Sequence, residues 1–577
     1  MSRILKPGTS WSDAYRRAIL AAPEAFERDR LLNLIDGRWQ GVGVPGVHAS
    51  PIDGALIPGP SRIDHDLAVA AVGSAAKQHK AWSTVSLDER KSRVGRAVCE
   101  LREHRDTLAL LLVWEIGKPW RLACADVDRA LDGADWYLAE IDRQLQGRTP
   151  LPGPVSNIAS WNYPMSVQVH SELIQALAGN AVIAKTPSQG GFHTLTLAHA
   201  IMARHGLPVT LLSGSGARLA SALINTDAIG ALAFVGGRAN GRRAATNLAD
   251  AGKRHFLEQE GLNTWGVWDF TGWATLAGHL KKGFEYAKQR CTAYPRYVVQ
   301  RELFPAFLEM YLPVLQSLEF GHPLAVADQT DPLPDLDFGP VISARKAQEL
   351  TAHYDAAVAC GAIPLYRGNL SHGRFLDGQD TCAYVAPASV LAPPSSWALH
   401  HSEPFGPLDS VILVDTESEL IAAMNASNGA LVASLATDDA DLLLVSRSSF
   451  KRSRWESTNR AAEATETRCS AVEALPGKAR SSVVTCLCRL SPKGMPTMNY
   501  SATSQRIRDT RRARDRPLTD DAARSQSPRW RSGSVRDVLA APHADAPRAG
   551  ENRANAGVLH VVPYCRPVTT AGPCWAR

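Results

Sequence analysis

The chain has 577 residues, 45% of them hydrophobic and 21% charged, an ordinary globular composition with room for two or three domains. No apolar run is long enough to span a membrane, and Met1–Pro7 leads into no apolar leader core, so a cytoplasmic protein without a membrane segment is expected. The net charge of +6 is uneven: about 23 Lys and Arg against about 11 Asp and Glu follow Phe450, which leaves the first 450 residues at about −6, and a basic tail of this kind is poor evidence that the folded part binds nucleic acid.

Ser86-Leu87-Asp88-Glu89 is a capping box. The helix it starts is expected to run to Ile116, where Gly117 and Pro119 stop it. A second helical pattern covers Gly133–Gln144. From Val155 to Glu258 short apolar strands alternate with helices: strands at 155–160, 181–184, 209–212, 229–234 and 255–258, with helices at 165–178 and 192–205 closing on Gly179 and Gly206. This alternation predicts an α/β fold with a doubly wound parallel sheet, whose ligands bind at the carboxyl ends of the strands. Asn162, Lys185, Gly214 and Gly236 fall at or just past such ends. A second α/β region follows from about Gly261 to Ala436.

Near Phe450 the character changes. The tail holds about 20 Arg but about three Lys, is rich in Ser, Ala, Pro and Thr, and contains five of the ten cysteines. It shows no helical or strand periodicity, so it is expected to be largely disordered. Its Arg, Cys and Trp content also matches a GC-rich frame translated out of register, which predicts a frameshift near Ser449. None of the ten cysteines belongs to a cluster with zinc spacing, so no metal site is expected.

Four segments carry candidate chemistry. Cys291, in Lys288-Gln289-Arg290-Cys291-Thr292-Ala293, is a candidate nucleophile; taken alone, a single cysteine is more often structural. Asn162, in Ser160-Trp161-Asn162-Tyr163-Pro164, could donate to an oxyanion from a strand end, or belong to a loop with an aromatic anchor. Glu258 and Glu260, in Leu257-Glu258-Gln259-Glu260-Gly261, offer a general base or a solvated acidic turn. Glu403 stands on the rigid loop Ser402-Glu403-Pro404-Phe405-Gly406-Pro407.

In this order and spacing the segments resemble the aldehyde dehydrogenase superfamily, over roughly residues 30 to 450. Supporting the resemblance are Leu34-Ile35-Asp36-Gly37-Arg38-Trp39, Glu115-Ile116-Gly117-Lys118-Pro119, Lys185 with Pro187 and Ser188, and Phe234-Val235-Gly236-Gly237. The resemblance implies an N-terminal extension (1–29), a dinucleotide-binding domain (30–134 and 152–258), a partial oligomerisation segment (135–151), a catalytic domain (259–449) and an Arg-rich tail (450–577). It implies NAD or NADP as cofactor and an aldehyde as substrate. Cys291 would form a thiohemiacetal and then a thioester, Asn162 and the Cys291 backbone N–H would hold the oxyanion, and Glu258 would activate water. Lys185 and Glu403 would hold the two riboses, with Trp161, Ser188, Gly236, Gly237 and Phe405 completing the cofactor site.

The chain departs from the family pattern in several places. Glu260 stands where the family has glycine and could disturb the cofactor or act as the base itself. Lys288 replaces another glycine; its ammonium either points inward and favours the thiolate or is solvated. Gly237 replaces a serine. Ser188 replaces a glutamate that favours NAD, which leaves NADP open. The family's final strands are not recognisable after Asp439. Their loss makes the expected homodimer or homotetramer doubtful and predicts weak activity, down to a catalytically impaired protein of the same fold.

Overall fold

The computed structural model describes residues 3–27, 30–251, 253–427, 430–439, 442, 454–457 and 488–490. These belong to one compact unit; a second, Ser491–Asn555, lies outside the described residues, as does the rest of the tail on which the expectations of disorder and a frameshift fall.

Two seven-stranded sheets organise the described chain. The first comprises β1 (Asn33–Ile35), β2 (Arg38–Gln40), β3 (Val155–Ile158), β4 (Val182–Lys185), β5 (Val209–Leu212), β6 (Ala231–Gly236) and β7 (Arg254–Gln259). Their order is β7-β6-β3-β4-β5-β1-β2. Strands β3 to β7 are mutually parallel, while β1 and β2 add an antiparallel hairpin at one edge. The central strands β4 and β5 read Val-Ile-Ala-Lys and Val-Thr-Leu-Leu and are buried throughout, as strands covered on both faces must be. The chain winds from β3 through β4 to β5, then returns past β3 to β6 and β7. The winding therefore reverses between β3 and β6, the crevice where such sheets bind ligands. Ser160–Asn162 leave β3 there, and Gly236 ends β6 there.

The second sheet holds β8 (Thr264–Val267), β9 (Arg296–Gln300), β10 (Ile363–Arg367), β11 (Ala388–Leu391), β12 (Leu408–Val414), β13 (Val432–Ala436) and β14 (Arg454–Ser457), in the order β10-β11-β12-β9-β8-β13-β14. Only β10 runs antiparallel to its neighbour. Cys291 sits between the helix Trp273–Gly283 and β9.

One expectation needs correction. The helix begun by Ser86, whose side chain accepts from Glu89 N, ends at Glu103, and a separate helix covers Arg105–Ile116. His104 between them (φ −95°, ψ 13°) leaves the helical region, a break that apolar spacing does not reveal. Two short tail segments are among the described residues: β14 extends the second sheet beside β13, and Cys488–Leu490 pairs antiparallel with Arg148–Pro150.

The Glu115–Pro119 segment has a structural task. Both Glu115 carboxylate oxygens are buried and receive the backbone N–H groups of His193 and Thr194 at 2.8 and 3.2 Å, at the start of the helix Phe192–Arg204. The carboxylate thus serves orphan donors at a helix N-terminus. Lys118 pairs with Asp126 at 2.9 Å, both fully buried, and the other Asp126 oxygen accepts from Ser166 N just beyond the Trp-Asn segment.

Candidate active site

A cleft of about 280 Å³ lies where the two sheets face each other, and Trp161, Asn162, Gly236, Glu258, Glu260 and Cys291 are among its lining. Segments far apart in sequence converge there because β3, β6 and β7 all end at this side of the first sheet. Glu258 is carried by β7, and its Oε1 accepts from Cys291 Sγ at 3.8 Å. Glu258 is 7% exposed. Burial pushes its carboxyl up to about 7, an effect opposed by the contact with Cys291. A carboxylate that titrates near neutrality is suited to exchanging a proton with water. Glu260 is exposed and lines the same cleft near Gly237.

The Asn162 amide is buried and donates one N–H to Gln289 O at 3.0 Å. An amide carries two donors, and Asn162 lines the same cleft as Cys291. Trp161 and Phe405 meet edge to face (5.8 Å, 86°) to form an aromatic wall.

The thiol sits on a strained loop. Tyr286, Ala287 and Lys288 take successive positive φ values of 59°, 52° and 56°, which suit glycine and not branched side chains. Tyr286 is tied by its N–H to Asp337 O and by its hydroxyl to Ile116 O. The Gln289 amide donates to Tyr286 O and Pro340 O and accepts from Ile342 N. Lys288 fits neither alternative considered for it. Its ammonium lies 1% exposed in the second core, 2.6 Å from Asp409, bonded to Tyr294 O and Tyr297 Oη, and 3.9 Å above the Phe284 ring. The buried pair holds a left-handed lysine where glycine would need no anchor.

The positions expected to hold a dinucleotide fall into two groups. Trp161, Gly236, Gly237 and Phe405 line the cleft; Lys185, Ser188 and Glu403 lie outside that lining. Lys185 ends β4, 4% exposed, with its ammonium donating to Thr186 O at 2.7 Å. Burial lowers its pKa to about 8. Ser188 is exposed on the following loop. Glu403 is 9% exposed, and neither carboxylate oxygen has a hydrogen-bond partner of good geometry among the described residues. Burial and then the Glu260 charge hold it well above the usual carboxylate range; the Gly261 backbone N–H pulls it the other way. A buried carboxylate with open acceptors and a buried ammonium with open donors are the groups that sugar hydroxyls would satisfy, so the residues present fit a dinucleotide.

Asn263 escaped the sequence reading. It is fully buried at the head of β8 and uses all four of its amide valences, two of them on the loop of the thiol. The available signal was a lone amide directly ahead of an apolar strand. Among the described residues there is no cluster of metal-ligating side chains and no helix long and apolar enough to cross a membrane.

A doubly wound sheet with a crevice at its switch point, facing a thiol and a carboxylate, is the arrangement of a dinucleotide-binding enzyme. The sequence model of the aldehyde dehydrogenase family matches residues 47–451; the chain belongs to that family, whose reaction is oxidation of an aldehyde to a carboxylic acid with NAD(P)+. The chain is 26% identical over 401 residues to the 3,6-anhydro-alpha-L-galactose dehydrogenase of Vibrio sp. (strain EJY3), covering 65% of this chain and 79% of that protein. In fold it is similar to betaine aldehyde dehydrogenase from Staphylococcus aureus in complex with NAD+ (TM-score 0.66, 22% identity, 77% of this chain and 89% of that one). It is likewise similar to NADP-dependent glyceraldehyde-3-phosphate dehydrogenase from Bacillus halodurans C-125 with NADP (TM-score 0.66, 22% identity, 79% and 97%).

Proposed function

We propose that Cys291 is the nucleophile of this aldehyde dehydrogenase, Glu258 its general base and Asn162 its oxyanion donor. The observation that carries the reading is the contact of Cys291 Sγ with Glu258 Oε1 at 3.8 Å in a cleft that Asn162 also lines. The Cys291 thiolate adds to the aldehyde carbon, and the carbonyl electron pair moves to oxygen, which the Asn162 amide receives. The cofactor, NAD+ or NADP+, supplies the hydride acceptor when bound; Lys185 and Glu403 would hold its ribose hydroxyls, Gly236 and Gly237 its phosphates, and Trp161 and Phe405 would wall the nicotinamide side, with Ser188 nearest the adenosine ribose. Loss of hydride from the thiohemiacetal carbon leaves a thioester on Cys291. Glu258 then takes a proton from water as the water oxygen attacks the thioester carbon, and the C–S bond breaks to return the thiolate. Its position near neutrality supports Glu258 over the exposed Glu260 as this base. We place the reaction in the cytoplasm, where a thiol stays reduced.

An impaired protein of the same fold is the less favoured reading, because the segments needed for catalysis converge on one cleft. Reduced-cofactor absorbance with a panel of aldehydes and either NAD+ or NADP+ tests the proposal. Turnover by the wild type that vanishes in Cys291→Ala supports it; turnover that persists in the variant overturns the role of Cys291.

A further inference from the structure

We infer that Asn263 is the positioning residue that sets the Cys291 thiol against Glu258, an inference that rests on the role proposed for Cys291. Asn263 lies two residues after Gly261 and one before β8, so it joins the segment that carries Glu258 to the strand beneath the thiol. Its Nδ2 donates to the carbonyl of Cys291 itself at 2.7 Å and to that of Ala293 at 2.8 Å. Its Oδ1 accepts from the N–H groups of Leu431 and Val432, both at 2.9 Å, at the head of β13. The side chain is 0% exposed. It offers two donors and two acceptors, and all four are used.

The geometry explains why the loop needs such a clamp. Three left-handed residues precede the thiol, and strain of this kind persists only where surrounding bonds over-determine it. Gln289 and Lys288 fix the loop before Cys291, through Pro340 and Ile342 on one side and Asp409 on the other. Asn263 holds it at and after Cys291. Its position in sequence, five residues beyond Glu258, makes the clamp common to nucleophile and base. Losing it lets the thiol drift relative to the carboxylate and to the oxyanion donor Asn162. A misplacement of about 1 Å lowers turnover by about 10²-fold. Cofactor affinity is expected to stay near its wild-type value, because the four Asn263 bonds go to Cys291, Ala293, Leu431 and Val432 and none goes to Lys185 or Glu403.

Two variants test this. Asn263→Ala removes all four bonds. Asn263→Asp keeps the size and the acceptor toward β13, and, held protonated by burial, restores one of the two donors. We expect kcat to fall about 10²-fold in Asn263→Ala and by a smaller factor in Asn263→Asp, with the cofactor Kd, read by tryptophan fluorescence, changed less than about threefold. Alkylation of Cys291 by iodoacetamide, read by mass spectrometry of the peptide that carries it, should show a pH dependence shifted from that of the wild type in Asn263→Ala. A kcat within about threefold of wild type in either folded variant, or a cofactor Kd that rises in step with the loss of kcat, overturns the inference. If Asn263→Ala does not fold, Asn263→Asp decides it by the same readings. Turnover that survives Cys291→Ala refutes instead the role of Cys291. Turnover lost in Cys291→Ala but retained in the Asn263 variants refutes the clamp alone.

Discussion

The thiol loop and the proposed cofactor side of the site are built on opposite terms. At the thiol end the backbone is strained through Tyr286, Ala287 and Lys288, yet the amides of Gln289 and Asn263 and the ammonium of Lys288 are paired at close range. At the cofactor side one site residue, Phe405 (φ 52°), is left-handed, and the buried charges are less satisfied: among the described residues neither Glu403 oxygen has a hydrogen-bond partner of good geometry, and Lys185 donates to its neighbour's carbonyl. The first end is fixed in advance, as chemistry on a developing oxyanion requires. The second holds unsatisfied buried groups that a ligand can complete, so ligand binding there should stabilise the whole chain.

Substitutions can break this contrast at either end. The largest expected effect is Cys291→Ala, which should lower aldehyde turnover by about 10³-fold or more while leaving the unfolding temperature close to wild type, since Cys291 is only half-buried. Glu258→Gln should follow, with turnover down about 10²- to 10⁴-fold. In the wild type, kcat limited by thioester hydrolysis should fall tenfold per pH unit below about 7, where the Glu258 carboxyl becomes protonated, and this slope should disappear in the glutamine variant. A wild-type profile flat from pH 5 to 8 would remove Glu258 from the base role. Asn162→Ala should cost about 10²- to 10³-fold in kcat, with cofactor binding unchanged by calorimetry; a change confined to KM would assign Asn162 to substrate binding instead.

How much of this was legible depended on whether a feature is local. The alternating strands, the Gly206 helix stop and the Trp-Asn and Glu403 loops follow from apolar runs and turn residues read one after another. The same is true of the parallel sheet with its crevice beyond β3 and β6. What closes the site is not local. Lys288 reads as a charge beside a thiol, and only the fold turns its chain away toward Asp409, 121 positions later. Asn263 reads as an ordinary strand-edge amide until β13 arrives beside it. The break at His104 leaves apolar spacing intact on both sides. Motif reading therefore finds groups in and around the cleft and misses groups that hold those groups in place.

The smallest effect on turnover, and the sharpest test of the contrast, belongs to Glu403→Gln. Glu403 has its pKa raised well above 4.5 by burial. A group with a raised pKa in the fold gives up stability as pH climbs past its unfolded value, because the native state resists the charge that the unfolded chain accepts freely. Glutamine removes that charge and keeps the shape. At pH 8 the cofactor-free variant should therefore unfold at a temperature a few degrees higher than wild type, each kcal/mol being worth about 2–4 °C in a domain of ordinary size. Below about pH 4.5 the carboxyl is protonated in both states and the advantage should vanish. Cofactor affinity should move the other way, weakened about 10-fold through loss of charge-assisted bonds to ribose hydroxyls. Thermal unfolding with and without NAD+ measures both. If Glu403→Gln instead lowers the unfolding temperature of the cofactor-free chain at pH 8, Glu403 is a paired structural carboxylate, and the cofactor end is as fully satisfied as the thiol end.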